Sequence, residues 1–178
     1  MDAGIDKKRI VQVYTGEGKG KTTAALGLIV RALGQGFRVL LARFLKPAAA
    51  GSGELLFFRG IEGIDILSSG MGYLEGLNDW EGLRATVEKT YLEVQRSVLS
   101  GRYDLVVLDE INNAMHLGLV SVAEVIDLLD RRPQHTEMVL TGRNAPVEII
   151  DKAELVTRME KIKHVYENGI DARRGIEF

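Results

Sequence analysis

Gly16-Glu17-Gly18-Lys19-Gly20-Lys21-Thr22-Thr23 follows an apolar, β-branched run, Ile10-Val11-Gln12-Val13-Tyr14, and leads into a segment of helical period from Thr23 to Leu33. Strand, glycine-rich turn and helix in this order make a phosphate cradle. Glycine lets the backbone double back so that successive N–H groups face one centre. The helix that follows adds its unpaired N-terminal N–H groups and the positive end of its dipole. Lys21 supplies a mobile cation, and Thr22 a hydroxyl suited to the Mg²⁺ that accompanies ATP. A plain glycine turn with a solvated lysine is the alternative, but it leaves the agreement of strand, Gly18, Gly20, Lys21 and Thr22 unexplained. One departure matters: the usual spacing has a glycine five residues before the Gly-Lys-Thr, where this chain has Thr15. The first glycine is Gly16, so the loop is one residue shorter and is expected to enclose phosphate differently from a standard hydrolase.

Outward from the loop, short strands alternate with helical segments. Leu26, Ile29, Val30 and Leu33 form one stripe of the first helix, which Gly34 and Gly36 end. Arg38 to Phe44 is a second strand, residues 45–54 a small-residue loop, and Ile64 to Leu67 a brief third strand. A second loop runs from Ser68 through Gly70-Met71-Gly72-Tyr73 to Asp79. Trp80 to Leu99 is helical, with Leu83, Val87, Tyr91, Val94 and Val98 facing inward. Leu105 to Leu108 is apolar at every position, which suits a central parallel strand buried on both faces. Val120 to Leu129 reads as helix, Glu137 to Thr141 as strand, Val147 to Ala153 as a short helix and Leu155 to Met159 as a last strand. This alternation predicts an α/β fold of three layers, a mostly parallel central sheet flanked by helices.

The chain has 178 residues, enough for one domain over 1–178 with a full core. With 46% hydrophobic and 27% charged residues it has the composition of a globular protein rather than a disordered one. A net charge of −2 gives no footprint for nucleic acid. The absence of cysteine excludes disulfides, thiolate nucleophiles and cysteine-based metal sites. The first nine residues carry no apolar signal core, and no stretch reaches the roughly 18 unbroken apolar residues of a membrane helix. The expected compartment is the cytoplasm, with no membrane association.

Two carboxylates, Asp109 and Glu110, end the apolar strand Leu105-Val-Val-Leu. Ligands of open α/β sheets sit beyond the C-terminal strand ends, so both are expected beside the phosphate loop. One can hold Mg²⁺ against the phosphates, directly or through water. The other can bind metal too, or activate a water as general base; the structural alternative is that the pair caps a helix starting near Asn112. Of the three histidines, 116, 135 and 164, none stands in a nucleophile–base arrangement. A covalent reaction would then draw its nucleophile from the substrate.

Tyr14-Thr-Gly-Glu-Gly-Lys-Gly-Lys-Thr-Thr-Ala-Ala-Leu-Gly27, Tyr103-Asp-Leu-Val-Val-Leu-Asp-Glu110 and Leu140-Thr-Gly-Arg143 are distinctive together. With Pro146-Val-Glu-Ile-Ile150, Ala153-Glu-Leu-Val-Thr157, Lys163-His164, Gly169 and Gly175-Ile-Glu-Phe178, the chain resembles the P-loop ATP:corrinoid adenosyltransferases over roughly residues 10–178. The resemblance implies a RecA-like sheet, a homodimer, and a reaction in which Co(I) of a reduced corrinoid attacks the 5′ carbon of ATP and releases triphosphate. It implies a nucleotide bound in reverse relative to P-loop hydrolases, and an electron-donating flavoprotein as a possible partner.

Carried over residue by residue, Gly16, Glu17, Gly18, Lys19, Gly20, Lys21, Thr22 and Thr23 form the triphosphate site. Thr22, Asp109 and Glu110 form the metal side. Lys21, Thr22 and Glu110 are the residues expected to act in catalysis. Arg31 matches an arginine turned toward the nucleotide, with a solvated helix arginine as its alternative. Arg143, in a loop after a strand, is placed to reach the ligand, while Lys163-His164 reads equally well as a surface pair. Two segments depart from the family: Phe44-Leu-Lys-Pro47 stands for Phe-Ile/Leu-Lys-Gly, and Gly70-Met-Gly-Tyr73 for the Gly-Phe-Thr-Trp loop that packs near the corrinoid. Met71 and Tyr73 are then the candidate corrinoid contacts, against a core-packing alternative. Two other functions compete: a P-loop ATPase or kinase using Glu110 as base, and a non-catalytic nucleotide or corrinoid carrier.

Overall fold

The computed structural model describes residues 9–47, 52–71, 79–164, 169 and 171–177. Six strands form one sheet: β1 (Val11–Thr15), β2 (Val39–Pro47), β3 (Ile64–Gly70), β4 (Leu105–Asp109), β5 (Glu137–Thr141) and β6 (Leu155–Arg158). Their order is β3-β2-β4-β5-β1-β6, and every pairing is parallel. The helices are α1 (Lys21–Leu33), α2 (Gly53–Phe58), α3 (Trp80–Leu99), α4 (Ile111–His116), α5 (Val122–Arg131) and α6 (Val147–Lys152).

Strand periodicity divides the core into two layers. Leu105 and Val107 of β4 pack with Ala25, Ile29 and Ala32 of α1 and Phe58 of α2. Val106 and Leu108 point the other way, onto Leu83, Val87 and Val94 of α3, Ile111 of α4, Leu128 of α5 and Ile149 of α6. β4 is thus buried at all five positions, as its unbroken apolar run predicts. Complete burial of a side chain such as Ile29 contributes roughly 1.5–3 kcal/mol, so these two layers supply most of what holds the helices to the sheet. Asp79 caps α3 by accepting from the Gly82 N–H at 2.8 Å, and Ser121 and Glu124 form a capping box on α5. Among the described residues no helix is long and apolar enough to cross a membrane.

The structure departs most from the sequence reading at two strand ends. β2 continues through Lys46 to Pro47, and part of the small-residue segment after it forms α2. β3 likewise runs on to Gly70. Small and polar residues at these positions look like loop, yet pairing with a neighbouring strand carries them on. Between β2 and β3 the register slips: Arg43 faces Ser68 but Pro47 faces Gly70, four residues of advance against two. This bulge re-aims the end of β2.

Candidate active site

Residues 16–20 join β1 to α1 across the C-terminal edge of the sheet. Gly20 holds the N-cap of α1 with φ +119° and no side chain to cap it, so the first N–H groups of the helix face the cleft unshielded. The glycines at 16 and 18 have a second reason to be glycine. A Cβ at Gly16 would lie 2.4 Å from the Met159 carbonyl oxygen, and one at Gly18 2.6 Å from that of Glu160. The Gly18 N–H donates to the Met159 carbonyl at 2.8 Å. It is therefore not one of the amides facing the phosphate centre, a correction to the expectation for this loop: the end of β6 takes it. Lys21, 8% exposed, donates from Nζ to the carbonyl oxygens of Gly16 (2.6 Å) and Gly18 (2.8 Å). Burial lowers its pKa, and Arg143 adds to that, while Glu110, Glu17 and Asp109 oppose it.

Opposite the loop, β5 lies between β1 and β4 and presents its last residue, Thr141, to the acidic strand end. Asp109 is 1% exposed. Its Oδ1 accepts from the Thr22 hydroxyl at 2.9 Å and the Thr141 hydroxyl at 2.7 Å, and its Oδ2 accepts from Lys46 Nζ at 2.5 Å. Lys46 Nζ also reaches Thr22 Oγ1 at 3.1 Å. Glu110 sits at the N-cap of α4 in the left-handed conformation, φ +65°, and its side chain does not cap the helix. Its N–H donates to Thr141 Oγ1 at 3.0 Å, and its carboxylate accepts from Asn113 Nδ2 at 2.6 Å. Burial raises the Glu110 pKa and the neighbouring Asp109 raises it further, against Lys46, Lys21 and Arg143.

Two cavities meet here. The first, about 560 Å³, is floored by residues 17–23 and walled by Lys46, Glu54, Glu110, Arg143, His164 and Gly175–Glu177. The second, about 530 Å³, is lined by Leu45, Lys46, Glu110, Asn113, His116, Leu117, Arg143 and Asn144. Lys46, Glu110 and Arg143 belong to both. Leu45, Glu110 and Asn144 are the three non-glycine residues with positive φ among the described residues, and all three line the second cavity. Strain gathered in this way marks a functional position.

Residues 7–178 match the family described as ATP:corrinoid adenosyltransferase BtuR/CobO/CobP. The chain belongs to that family. It is 38% identical to a corrinoid adenosyltransferase of a Sinorhizobium species over 100% of this chain and 84% of the relative. With the corrinoid adenosyltransferase of Pseudomonas aeruginosa it shares 34% identity over 97% and 85%, and with corrinoid adenosyltransferase CobA of Salmonella typhimurium 32% over 97% and 87%. The fold is also that of a KaiC-like protein from Pyrococcus horikoshii, TM-score 0.55 over 88% of this chain and 75% of the other at 14% identity. The sheet is the RecA-like P-loop sheet that the family resemblance implies.

For this ATP:corrinoid adenosyltransferase family member, Glu17, Gly18, Lys19, Gly20, Lys21, Thr22, Thr23, Glu110 and Arg143 line one cleft, and Gly16 and Asp109 are hydrogen-bonded to its Lys21 and Thr22. Arg143 pairs with Glu17 at 3.3 Å, both about half exposed, so the contact contributes little to stability. Arg31 is placed elsewhere: it is exposed in the last turn of α1, ten residues and about 15 Å along the helix from Lys21. Met71 packs against the apolar core and lines neither cavity. Tyr73 lies outside the described residues.

Sequence reasoning gave no role to Lys46, Thr141, Asn113 or Glu177, and left His164, which lines the first cavity, open between site and surface. Thr141 stood in a quoted motif and Lys46 in a noted departure, but neither carried a role. Glu177 comes to the loop from the far end of the chain: it accepts from Lys19 Nζ at 2.7 Å and from Arg173, and these hydrogen bonds pull its carboxyl down to about 2.

Proposed function

We propose that this enzyme transfers the 5′-deoxyadenosyl group of ATP to the Co(I) of a reduced corrinoid, with release of triphosphate. The observation that carries the reading is the pair of adjoining cavities, one built on the phosphate loop and both sharing Lys46, Glu110 and Arg143. The nucleotide occupies the first and the corrinoid the second, so that the reacting centres meet at the shared wall.

The reaction needs no protein nucleophile. The electron pair of Co(I) forms the cobalt–carbon bond, the carbon–oxygen bond at the 5′ carbon breaks, and the pair of that broken bond leaves on the triphosphate oxygen without a proton transfer. The work of the chain is to orient two substrates and to neutralise charge that grows on the leaving group. Lys21 exchanges its two loop carbonyls for phosphate oxygens, and the open N-terminus of α1 adds backbone donors. Among the described residues no group of three or more acidic or histidine side chains could cage an ion alone. A hydroxyl and two carboxylates, Thr22, Asp109 and Glu110, do fit a hard cation that completes its shell with water and phosphate. These residues would hold Mg²⁺, whose chemistry there is charge neutralisation on the triphosphate.

The same reading takes the chain as a single domain acting as a cytoplasmic homodimer, with a flavoprotein supplying the electron. It is tested in one anaerobic assay with ATP and chemically reduced corrinoid. The expected products are a cobalt–carbon bond, seen in the absorption spectrum, and triphosphate; ADP would instead identify phosphoryl transfer with Glu110 as base. Lys21→Ala should lower turnover by roughly 10²–10³-fold, as loss of one charge-stabilising donor typically does, with the circular dichroism unchanged. Near-parental turnover in that variant would count heavily against the assignment.

A further inference from the structure

Lys46 occupies an unusual position for a cation. Its ammonium lies 3.1 Å from the Thr22 hydroxyl oxygen and 2.5 Å from Asp109 Oδ2. Both oxygens belong to residues assigned above to the metal, Thr22 and Asp109. Asp109 Oδ1 is already engaged by two hydroxyls, from Thr22 and Thr141, whereas Lys46 is the partner of Oδ2. A divalent ion that takes Oδ2 must therefore displace an ammonium that stands at its own position, since two cations cannot share that space.

We propose that Lys46 is a positioning residue that holds the ion's place in the metal-free enzyme and moves onto the phosphates when metal and nucleotide enter together. The inference rests on the Mg-ATP reading of the cleft. Three features of the chain support the movement. First, Asp109 is almost completely buried, and a buried carboxylate without a cation is strongly unfavourable, so it needs a positive charge beside it before a metal binds. Second, Lys46 follows Leu45, whose φ is +55°, inside the β2 bulge, and this turns its four-carbon stem inward across the strand ends. Third, the side chain remains 24% exposed and lines both cavities, so the displaced ammonium has cleft space beside Lys21 and, on the other side, the second substrate's wall.

One consequence follows for the order of events. A divalent ion alone meets a site already neutralised by Lys46 and binds weakly. An ion arriving with triphosphate brings the anion that draws Lys46 away, so metal and nucleotide bind cooperatively.

The test measures Mn²⁺ binding to the nucleotide-free protein by electron paramagnetic resonance. Lys46→Met should bind Mn²⁺ at least tenfold more tightly than the parent, because Oδ2 is released, while Lys46→Arg should stay as weak as the parent. Affinity in Lys46→Met equal to or below the parental value would overturn the proposal. Should that variant fail to fold, a crystal structure of the parent with Mg²⁺ and ATP decides: Lys46 must lie beyond hydrogen-bond distance of Asp109. Bound Mg-ATP with Lys46 still on Asp109 would sink this assignment alone, whereas an empty phosphate loop would sink the adenosyltransferase reading and this assignment with it.

Discussion

In the phosphate loop the left-handed backbone falls on Gly16 and Gly20, whereas in the lining of the second cavity it falls on Leu45, Glu110 and Asn144. The first wall is built from residues that adopt that conformation freely. The second is built from residues for which it costs on the order of 1–3 kcal/mol each, with asparagine at the low end. Their donors differ in the same sense. The loop offers backbone amides and one lysine, a surface made for any polyphosphate. At the ends of β2, β4 and β5 side chains do this work: Lys46 and Thr141 donate to Asp109, Asn113 donates to Glu110, and Arg143 pairs with Glu17 of the loop. The generic half of the site is therefore unstrained and largely backbone-made, and the half that lines the second cavity is strained and side-chain-made.

Substitutions at three positions probe that contrast. The largest effect belongs to Gly16→Ala. Its new methyl group would meet the Met159 carbonyl at 2.4 Å in a left-handed backbone, so the loss should be on the order of 3 kcal/mol. Urea unfolding measures it, and a midpoint equal to the parent's would show that the loop is not locked against β6. Next comes Asn144→Val, expected to lose about 1–2 kcal/mol because a β-branched residue resists φ +52°. Its companion Asn144→Gly should stay within about 0.5 kcal/mol of the parent. Equal stability of the two would mean that the second wall carries no strain.

The smallest effect has the opposite sign. Burial and Asp109 raise the pKa of Glu110 above its ordinary 4.5, so the fold disfavours the ionised form. Stability linked to this group is complete below pH 4.5 and is lost as pH rises through the raised value. Glu110→Gln should consequently melt slightly above the parent at neutral pH in the ligand-free protein, with the gap closing toward pH 4. A gap that widens on acidification would refute the cause given for the shift.

Legibility followed chain locality. The loop is contiguous, and its spacing was enough to read residues 16–23 as a turn from β1 into the start of α1. Leu105–Asp109 was legible for a different reason, since a run apolar at every position has no solvent face. Lys46 was not legible, because it stands in a stretch that reads as loop and gains its role from a bulge between two strands. Arg31 shows a different limit: family likeness turns it toward the nucleotide, and it stands exposed in the last turn of α1, lining neither cavity.

The order of apolar, glycine and charged residues along this chain was enough to determine a parallel α/β sheet, a polyphosphate loop on its first turn and an acidic pair on a buried strand. Each of these depends on neighbours within a few residues, where periodicity and backbone freedom act directly. Only the tertiary structure decided that Thr22, Lys46, Asp109 and Thr141 form one network, and that Gly18 gives its amide to β6. Strand order and register bring those residues together, and both are set by how whole helices and strands bury their apolar faces.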